Sequence, residues 1–176
     1  MMAAALAMGG LVMAEVESGL GVGTPVPPFN TKDTCGENAG KSLCYRWLFG
    51  TRPVVAIFAR TASDDLTSLV KKVDALIEAN KAKQLRSYLV LLADDADEAE
   101  ETLIALGKKN NINHVKLTVF DGIAGPPKYQ ISKDADLTVL HWKGRVVAKN
   151  NAYTKAEFNS DAIKEVIDSA KNTILK

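Results

Sequence analysis

The chain has 176 residues, of which 47% are hydrophobic and 24% charged, and its formal net charge is +1 at pH 7. These values are typical of one globular domain and speak against disorder or a solenoid. Lys and Arg are interspersed with Asp and Glu, so the chain offers no broad basic surface for nucleic acid. Composition and charge therefore predict a single domain with no nucleic-acid partner.

The first fourteen residues, MMAAALAMGGLVMA, are small or apolar and uncharged, and the acidic Glu15 follows at once. Val12 and Ala14 stand where a signal peptidase requires small residues, so residues 1–14 are predicted to be a signal peptide. The stretch is too short to span a bilayer, and its positively charged start would lie upstream of Met1. The alternatives are a disordered apolar terminus and an uncleaved lipid-facing anchor. The expected location is the periplasm or the extracellular space.

A segment rich in glycine and proline follows, GLGVGTPVPP at residues 19–28, and can sustain neither a helix nor a central strand. Residues 15–28 are therefore predicted to be an extended arm that leads into a domain over residues 29–176. Its first elements are predicted to be two short strands, Phe29–Thr34 and Ser42–Trp47. The turn-forming CGENAGK joins them into a hairpin at the edge of the sheet.

Three apolar runs predict strands that are buried on both faces: Pro53–Ala59, Ser87–Ala93 and Val115–Phe120. An amphipathic helix is predicted in each interval. The first is capped by Thr61 or Ser63 and runs to about Ala82, and the second begins in the acidic stretch that starts at Asp94. These β–α–β units imply parallel strands joined by right-handed crossovers.

The rest of the chain predicts an antiparallel hairpin and a final helix. The hairpin strands are Leu137–Trp142 and Arg145–Lys149, with a turn at Lys143-Gly144, and they follow the breaker-rich loop DGIAGPPK. A capping box formed by Thr154 and Glu157 introduces the last amphipathic helix. The predicted fold class is α/β, with a mixed central sheet, helices on both faces and an N-terminal hairpin.

Three stretches, GTPVPPFNTKD, RPVVAIFAR and LTVLHWKGRVV, together with this order of elements, resemble the thioredoxin-like superfamily and its redoxin and peroxiredoxin-related branch. The resemblance covers roughly residues 22–176. It implies chemistry by cysteine, because these proteins carry a C-x-x-C or a Thr-x-x-Cys just after the central strand, where a helix N-terminus lowers the pKa of the thiol. It also implies a cis-proline that approaches the reactive cysteines.

The chain departs from this pattern at each of those positions. Ser63 stands at the position of the attacking cysteine, Leu66 at that of its partner, and Asp136 near that of the cis-proline. A serine without an adjacent base is not a nucleophile at neutral pH, and Asp64 and Asp65 disfavour a neighbouring anion. The resemblance therefore predicts a thioredoxin-like domain with a degenerate active site.

Cys35 and Cys44 are the only thiols of the chain and flank the turn of the first predicted hairpin. Three interpretations stay open: a structural disulfide, a redox-active pair, and two thiols that are unpaired or linked to a partner. The structural disulfide is favoured over the redox pair because neither cysteine is predicted at a helix N-terminus.

Other residues that could carry chemistry have simpler interpretations. His114 and His141 are isolated, and the acidic residues between Asp94 and Glu101 match no EF-hand spacing. The stretch GENAGKS at residues 36–42 fits a phosphate loop poorly because its glycines are too close and it lies between hairpin strands. We therefore expect no metal and no cofactor.

The densest aromatic cluster is Tyr45, Arg46, Trp47 and Phe49, directly before the central strand. It is interpreted either as core packing or as an exposed protein contact surface, since aromatic and arginine residues are enriched at binding hot spots.

The function predicted overall is a non-catalytic binding or accessory module with a protein partner, monomeric or weakly associating, and without a membrane span after signal removal. The alternative is a thiol–disulfide oxidoreductase or peroxide reductase that uses Cys35 and Cys44.

Overall fold

The structure, a computed structural model, describes residues 16–176, so the signal peptide predicted for residues 1–14 lies outside the described residues. Seven strands and four α-helices are found in this part of the chain. The strands are β1 (Thr31–Asp33), β2 (Ser42–Leu43), β3 (Val54–Ala59), β4 (Arg86–Ala93), β5 (Lys116–Asp121), β6 (Leu137–Lys143) and β7 (Val146–Tyr153), and the helices are α1 (Tyr45–Phe49), α2 (Asp64–Ala79), α3 (Ala96–Asn110) and α4 (Ser160–Thr173).

All strands belong to one mixed sheet in the order β2-β1-β5-β4-β3-β6-β7. The strands β3, β4 and β5 are parallel, whereas β6 runs antiparallel to β3 and β7 antiparallel to β6. The hairpin β1–β2 joins the other edge through β1, which is antiparallel to β5. The predicted mixed sheet with an N-terminal hairpin is confirmed.

The two faces of the sheet are covered differently. Helices α2, α3 and α4 pack together on one face, over strand residues such as Val55 and Leu89. Both crossovers, β3 to β4 and β4 to β5, step in the same direction, and right-handed crossovers then place α2 and α3 on the same side. The opposite face carries a second core that includes Phe58 and Tyr88 and is covered by α1 and irregular segments. Of the described α-helices, only the five-residue α1 supplies the helical cover that was predicted for this face.

The described part of the predicted arm, from Val16, lies along the edge of the sheet that β6 and β7 form. The backbone N–H of Gly23 donates to the carbonyl of Val147 at 2.8 Å, and that of Val26 donates to the carbonyl of Arg145 at 2.9 Å. Val26 is buried in the second core. The arm thereby shields apolar residues that the helices leave uncovered.

Helix α1 replaces part of a predicted strand. The prediction of a strand over Ser42–Trp47 is wrong beyond Leu43, because the chain is helical from Tyr45. Tyr45 and Phe49, four residues apart, are both buried, and their ring centroids are 4.9 Å apart. Helical spacing places both rings on the sheet together, and this packing outweighs the β propensity of aromatic residues.

Helix α4 begins later than its sequence signal predicts. The carboxylate of Glu157 accepts a hydrogen bond from the backbone N–H of Thr154 at 2.9 Å, which is one half of a capping box, and a second from the Thr154 hydroxyl at 2.7 Å. The N–H of Glu157 donates to the Thr154 carbonyl at 3.1 Å and not to its side chain. These residues close a separate turn, because α4 starts at Ser160 and is capped by Asn159.

Among residues 16–176, none of the helices is both long enough and apolar enough to cross a membrane.

Candidate functional site

Helix α2 follows β3 after a loop of four residues, at the position where the resemblance places a reactive thiol. Ser63 is the N-cap residue, and its Oγ accepts a hydrogen bond from the backbone N–H of Leu66 at 3.1 Å. The side chain of Thr67 donates to the Ser63 carbonyl at 3.1 Å. The hydroxyl of Ser63 therefore satisfies a free N–H at the start of the helix, which is the ordinary function of a capping serine.

Polar contacts tie the loop before α2 to the segment before β6. Thr61 Oγ1 donates to Asp136 Oδ1 at 2.9 Å, so the residue near the family's cis-proline position serves as an acceptor for this loop. The guanidinium of Arg60 donates to the carbonyls of Ala135 at 3.0 Å, Ser132 at 2.9 Å and Ile123. Burial lowers the pKa of Arg60, and the nearby Asp136 opposes this effect. Arg60 thus cross-links the loops that would surround a thioredoxin-like active site.

Acidic side chains lie at the start of α2. Asp64 and Asp65 are exposed in the first turn of α2 and match the positive end of the helix dipole. Their negative charge, with that of Asp136, opposes a second anion there. No hydrogen bond among the described residues joins Ser63 Oγ to a basic side chain, and a serine needs an adjacent base to act as a nucleophile.

The two cysteines lie apart in the first hairpin. The register pairs Thr31 with Leu43 and Lys32 with Ser42. Cys35 therefore lies at the turn of the hairpin, and Cys44 lies at the opposite end, directly after β2. Both are unpaired in the structure. A disulfide requires Cα atoms within about 7 Å of each other, and this register separates the two residues along the hairpin.

The local environment of the cysteines differs from the sequence prediction. Cys44 immediately precedes α1 and Cys35 immediately precedes a 3-10 turn, Gly36–Asn38, so the prediction that neither stands at a helix start is wrong. Neither side chain accepts a capping hydrogen bond. Cys35 is partly buried against the larger core. The error follows from the strand that was predicted over α1.

The two histidines do not meet each other or Ser63. His114 Nε2 is 2.7 Å from the carboxylate of Glu78. His141 is fully buried in β6, with Nε2 3.1 Å from Asn151 Oδ1, and the Asn151 amide donates to Glu165 at 3.0 Å. Burial lowers the pKa of His141 to about 4, so its ring is neutral at pH 7.

The acidic stretch before and within α3 has structural contacts. Asp95 caps the helix, with its carboxylate accepting from the backbone N–H of Glu98 at 3.0 Å, and Glu100 forms an ion pair with Lys32. In GENAGKS, the Lys41 ammonium binds back to the Asn38 side chain at 3.2 Å. Within residues 16–176, no group of three or more His, Cys, Asp or Glu side chains is placed to hold a metal ion.

The aromatic cluster divides into a buried and an exposed half. Tyr45 and Phe49 face the core, whereas Trp47 is 59% exposed and Leu48 is 50% exposed. Two arginines lie over the Trp47 ring, with the Cζ of Arg46 at 4.7 Å and that of Arg145 at 4.9 Å from the ring centroid. We call the surface formed by Arg46, Trp47, Leu48 and Arg145 the Trp47 face. Of the three aromatic residues, two are buried and one is exposed, so the core-packing interpretation holds for Tyr45 and Phe49.

The sequence did not predict that Arg60 would hold the loops before β6 or that Arg145 would lie over Trp47. The only sequence signal of Arg60 is its position directly after a buried strand. Arg145 reaches Trp47 through a tight turn in which Gly144 and Arg145 have φ values of 62° and 65°. A non-glycine residue at positive φ is uncommon, and the sequence contains no pattern that predicts it.

Known proteins resemble this chain in fold and not in sequence. No protein-family model and no curated protein sequence matches the chain. A candidate protein disulfide isomerase from Bacteroides thetaiotaomicron superposes with a TM-score of 0.64 at 13% identity, over 92% of this chain and 96% of that one. A candidate thiol:disulfide interchange protein DsbE from Chlorobium tepidum gives 0.62 at 14% identity, over 86% and 98%.

A 2-Cys peroxiredoxin from Plasmodium vivax also superposes, with a TM-score of 0.62 at 17% identity, over 86% of this chain and 82% of that one. At these identities the likeness concerns the fold, and the expectation drawn from the sequence is confirmed at that level. The chain therefore has a thioredoxin-like fold, with a helix-capping serine where the resemblance places the reactive cysteine.

Proposed function

We propose that this protein is a non-catalytic binding module built on a thioredoxin-like fold. The observation that carries the proposal is the hydrogen bond from the Leu66 N–H to Ser63 Oγ at 3.1 Å, which gives this side chain a capping function where the family's thiol would stand. Asp64 and Asp65 support the same interpretation because they stabilise the helix start and oppose a thiolate or alkoxide.

The Trp47 face is the proposed contact surface. Tryptophan and arginine are the residues most enriched at binding hot spots, and a half-exposed leucine beside them adds apolar area. The two guanidinium groups above the ring make the face positive. Charge complementarity then favours a partner segment that carries acidic residues next to an apolar anchor. The partner is therefore a protein with such an acidic and apolar segment, bound by a monomeric or weakly associating chain.

Selection of random peptides on the immobilised protein tests this surface. We expect the enriched peptides to combine Asp or Glu with apolar residues, and to bind Trp47→Ala at least about tenfold more weakly than wild type. Ile123→Ala is the matched control, because Ile123 is also 50% exposed but lies in the loop after β5. Peptides without acidic residues, or equal binding by both variants and wild type, would contradict the proposed surface.

Export is a further part of the proposal and rests on the sequence of residues 1–14 alone. N-terminal sequencing of the protein secreted by a bacterial host tests it, with Glu15 as the expected first residue. A chain that stays inside the cell with an intact N-terminus would contradict export.

The alternative function, thiol chemistry by Cys35 and Cys44, has one supporting observation, which is the position of Cys44 directly before α1.

A further inference from the structure

A cleft lies at the end of the sheet opposite to Ser63, where the parallel strands begin. It encloses about 400 Å³ between α1, the first hairpin and the start of β5. Its basic side chains are Arg52, Arg86 and Lys116, all half-buried. We call it the basic cleft.

The strand register explains why these cations converge. Val54 in β3 pairs with Arg86 in β4, and Tyr88 in β4 pairs with Lys116 in β5. Residues two apart in a strand point to the same face, so Arg86 and Lys116 share the face of the buried Tyr88. Arg52, in the turn before β3, also lines the cleft. The starts of β4 and β5 and the turn before β3 thus each contribute one cation to the cleft.

None of these cations forms an ion pair within residues 16–176, although the charge of Lys116 acts on the buried carboxylate of Asp33. The ion pairs of the described residues involve other side chains. Arg52 is held by the carbonyl of Phe49 at 3.1 Å and the amide oxygen of Gln84 at 3.3 Å, and Arg86 contacts the Leu85 carbonyl at 3.3 Å. These neutral contacts orient the guanidinium groups and leave their charge uncompensated.

Among the described residues that line the cleft, the cations outnumber the carboxylates. Glu37 is the one carboxylate among the described residues that line the cleft. Asp33 in β1 is buried and accepts a hydrogen bond from the hydroxyl of Tyr45, which lines the cleft. Burial raises the pKa of Asp33, and the Tyr45 hydrogen bond and Lys116 oppose this rise. His114 also lines the cleft, but it contacts Glu78.

We propose that the basic cleft binds a small anion of the phosphate class. Half-buried cations gathered in one concavity repel each other, and an oxyanion that accepts hydrogen bonds from two guanidinium groups and an ammonium group relieves this repulsion. The guanidinium fork matches the oxygens of a phosphate group, and the side-chain amides of Asn38 and Asn113 on the cleft wall offer further donors. The recognised group is a phosphate, supplied as a free ion or as the phosphoryl group of a small molecule.

Calorimetric titration of the full-length protein tests the proposal. The probes are inorganic phosphate, pyrophosphate and phosphoserine, each at constant ionic strength. We expect saturable binding of at least one probe, and about tenfold weaker binding by Arg52→Gln and by Arg86→Gln. Phosphoserine separates a phosphoryl ligand from the free ion. Lys71→Gln is the control, because it removes the same charge from an exposed site on α2 outside the cleft.

The proposal fails if wild type binds none of the probes. It fails equally if Lys71→Gln weakens binding as much as the cleft variants do, since this would mark a general charge effect. Malonate that binds as tightly as the phosphate probes would overturn the assignment to phosphate. If Arg52→Gln does not fold, judged by its circular dichroism melting curve, Lys116→Gln takes its place. None of these outcomes depends on the Trp47 face.

Discussion

Acid should destabilise this protein through His141. The ring is fully buried in β6, and its Nε2 faces the Oδ1 of Asn151, whose amide nitrogen is already donating to Glu165. Asn151 Oδ1 is therefore the acceptor, so Nε2 carries the proton and Nδ1 is the bare nitrogen. Nδ1 is buried and has no hydrogen-bond partner among the described residues, so a second proton there would be a buried, uncompensated charge.

The size of the effect follows from the pKa of His141. Burial lowers it from 6.5 to about 4, while the Asn151 hydrogen bond opposes the shift and Lys149 adds to it. Below pH 6.5 the unfolded chain takes up a proton that the folded chain refuses, so the free energy of unfolding falls as the pH falls. The loss is about 2 kcal/mol at pH 5 and about 3 kcal/mol near pH 4.

Urea unfolding curves of wild type and His141→Gln at several pH values measure this loss. The variant lacks the titrating ring, so we expect the difference in unfolding free energy between the two proteins to shrink by these amounts as the pH falls. Other acid-sensitive groups act equally in both proteins and cancel in the difference. Parallel curves for wild type and His141→Gln would refute the reasoning.

Three further predictions concern side chains that hold loops or helix ends. Asp74→Ala removes the acceptor of the backbone N–H groups of the segment before β5, so we expect urea unfolding to show a loss of about 2–4 kcal/mol, whereas exposed Asp65→Ala should cost much less. Ser63→Ala removes a helix cap and should cost about 1 kcal/mol, with Ser63→Asp restoring stability; a loss in both variants would contradict the capping function. Arg60→Gln loses carbonyl contacts to the loops before β6, and hydrogen exchange should speed up over residues 123–135 while β3 stays protected; unchanged exchange would contradict this.

The sequence predicts the centre of the sheet because local and tertiary preferences agree there. The run from Val54 to Ala59 is buried at every residue, and its uninterrupted apolar character is visible without a structure. The cap at Ser63 is equally predictable, since Asp64, Asp65 and an amphipathic pattern follow it.

The first hairpin and its cysteines were harder to predict because their positions depend on distant packing. Tyr45 and Phe49 form a helix since both rings bury against the second core, and the ring of Tyr45 stacks on Tyr88 at 5.2 Å. Nothing local in the sequence indicates that Tyr88 will lie there. The strand predicted in this place also misplaced Cys44, and with it the argument about a helix N-terminus.

The basic cleft escaped prediction for a related reason. Arg52, Arg86 and Lys116 are far apart in the sequence, and each is only one of many scattered cations in a chain of formal net charge +1. Their convergence depends on the register of three parallel strands, which side-chain periodicity does not encode. The sequence predicts that these strands exist, but it does not predict which of their residues pair with each other.

The central claim, that this thioredoxin-like domain works without thiol chemistry, is tested most directly by assays of insulin-disulfide reduction and hydrogen peroxide consumption. Purified wild type is compared with Cys35→Ser, Cys44→Ser and a protein-free blank, each supplied with dithiothreitol. We expect all three proteins to match the blank. Turnover by wild type above the blank that either cysteine variant abolishes would contradict the claim and establish the thiol-dependent alternative.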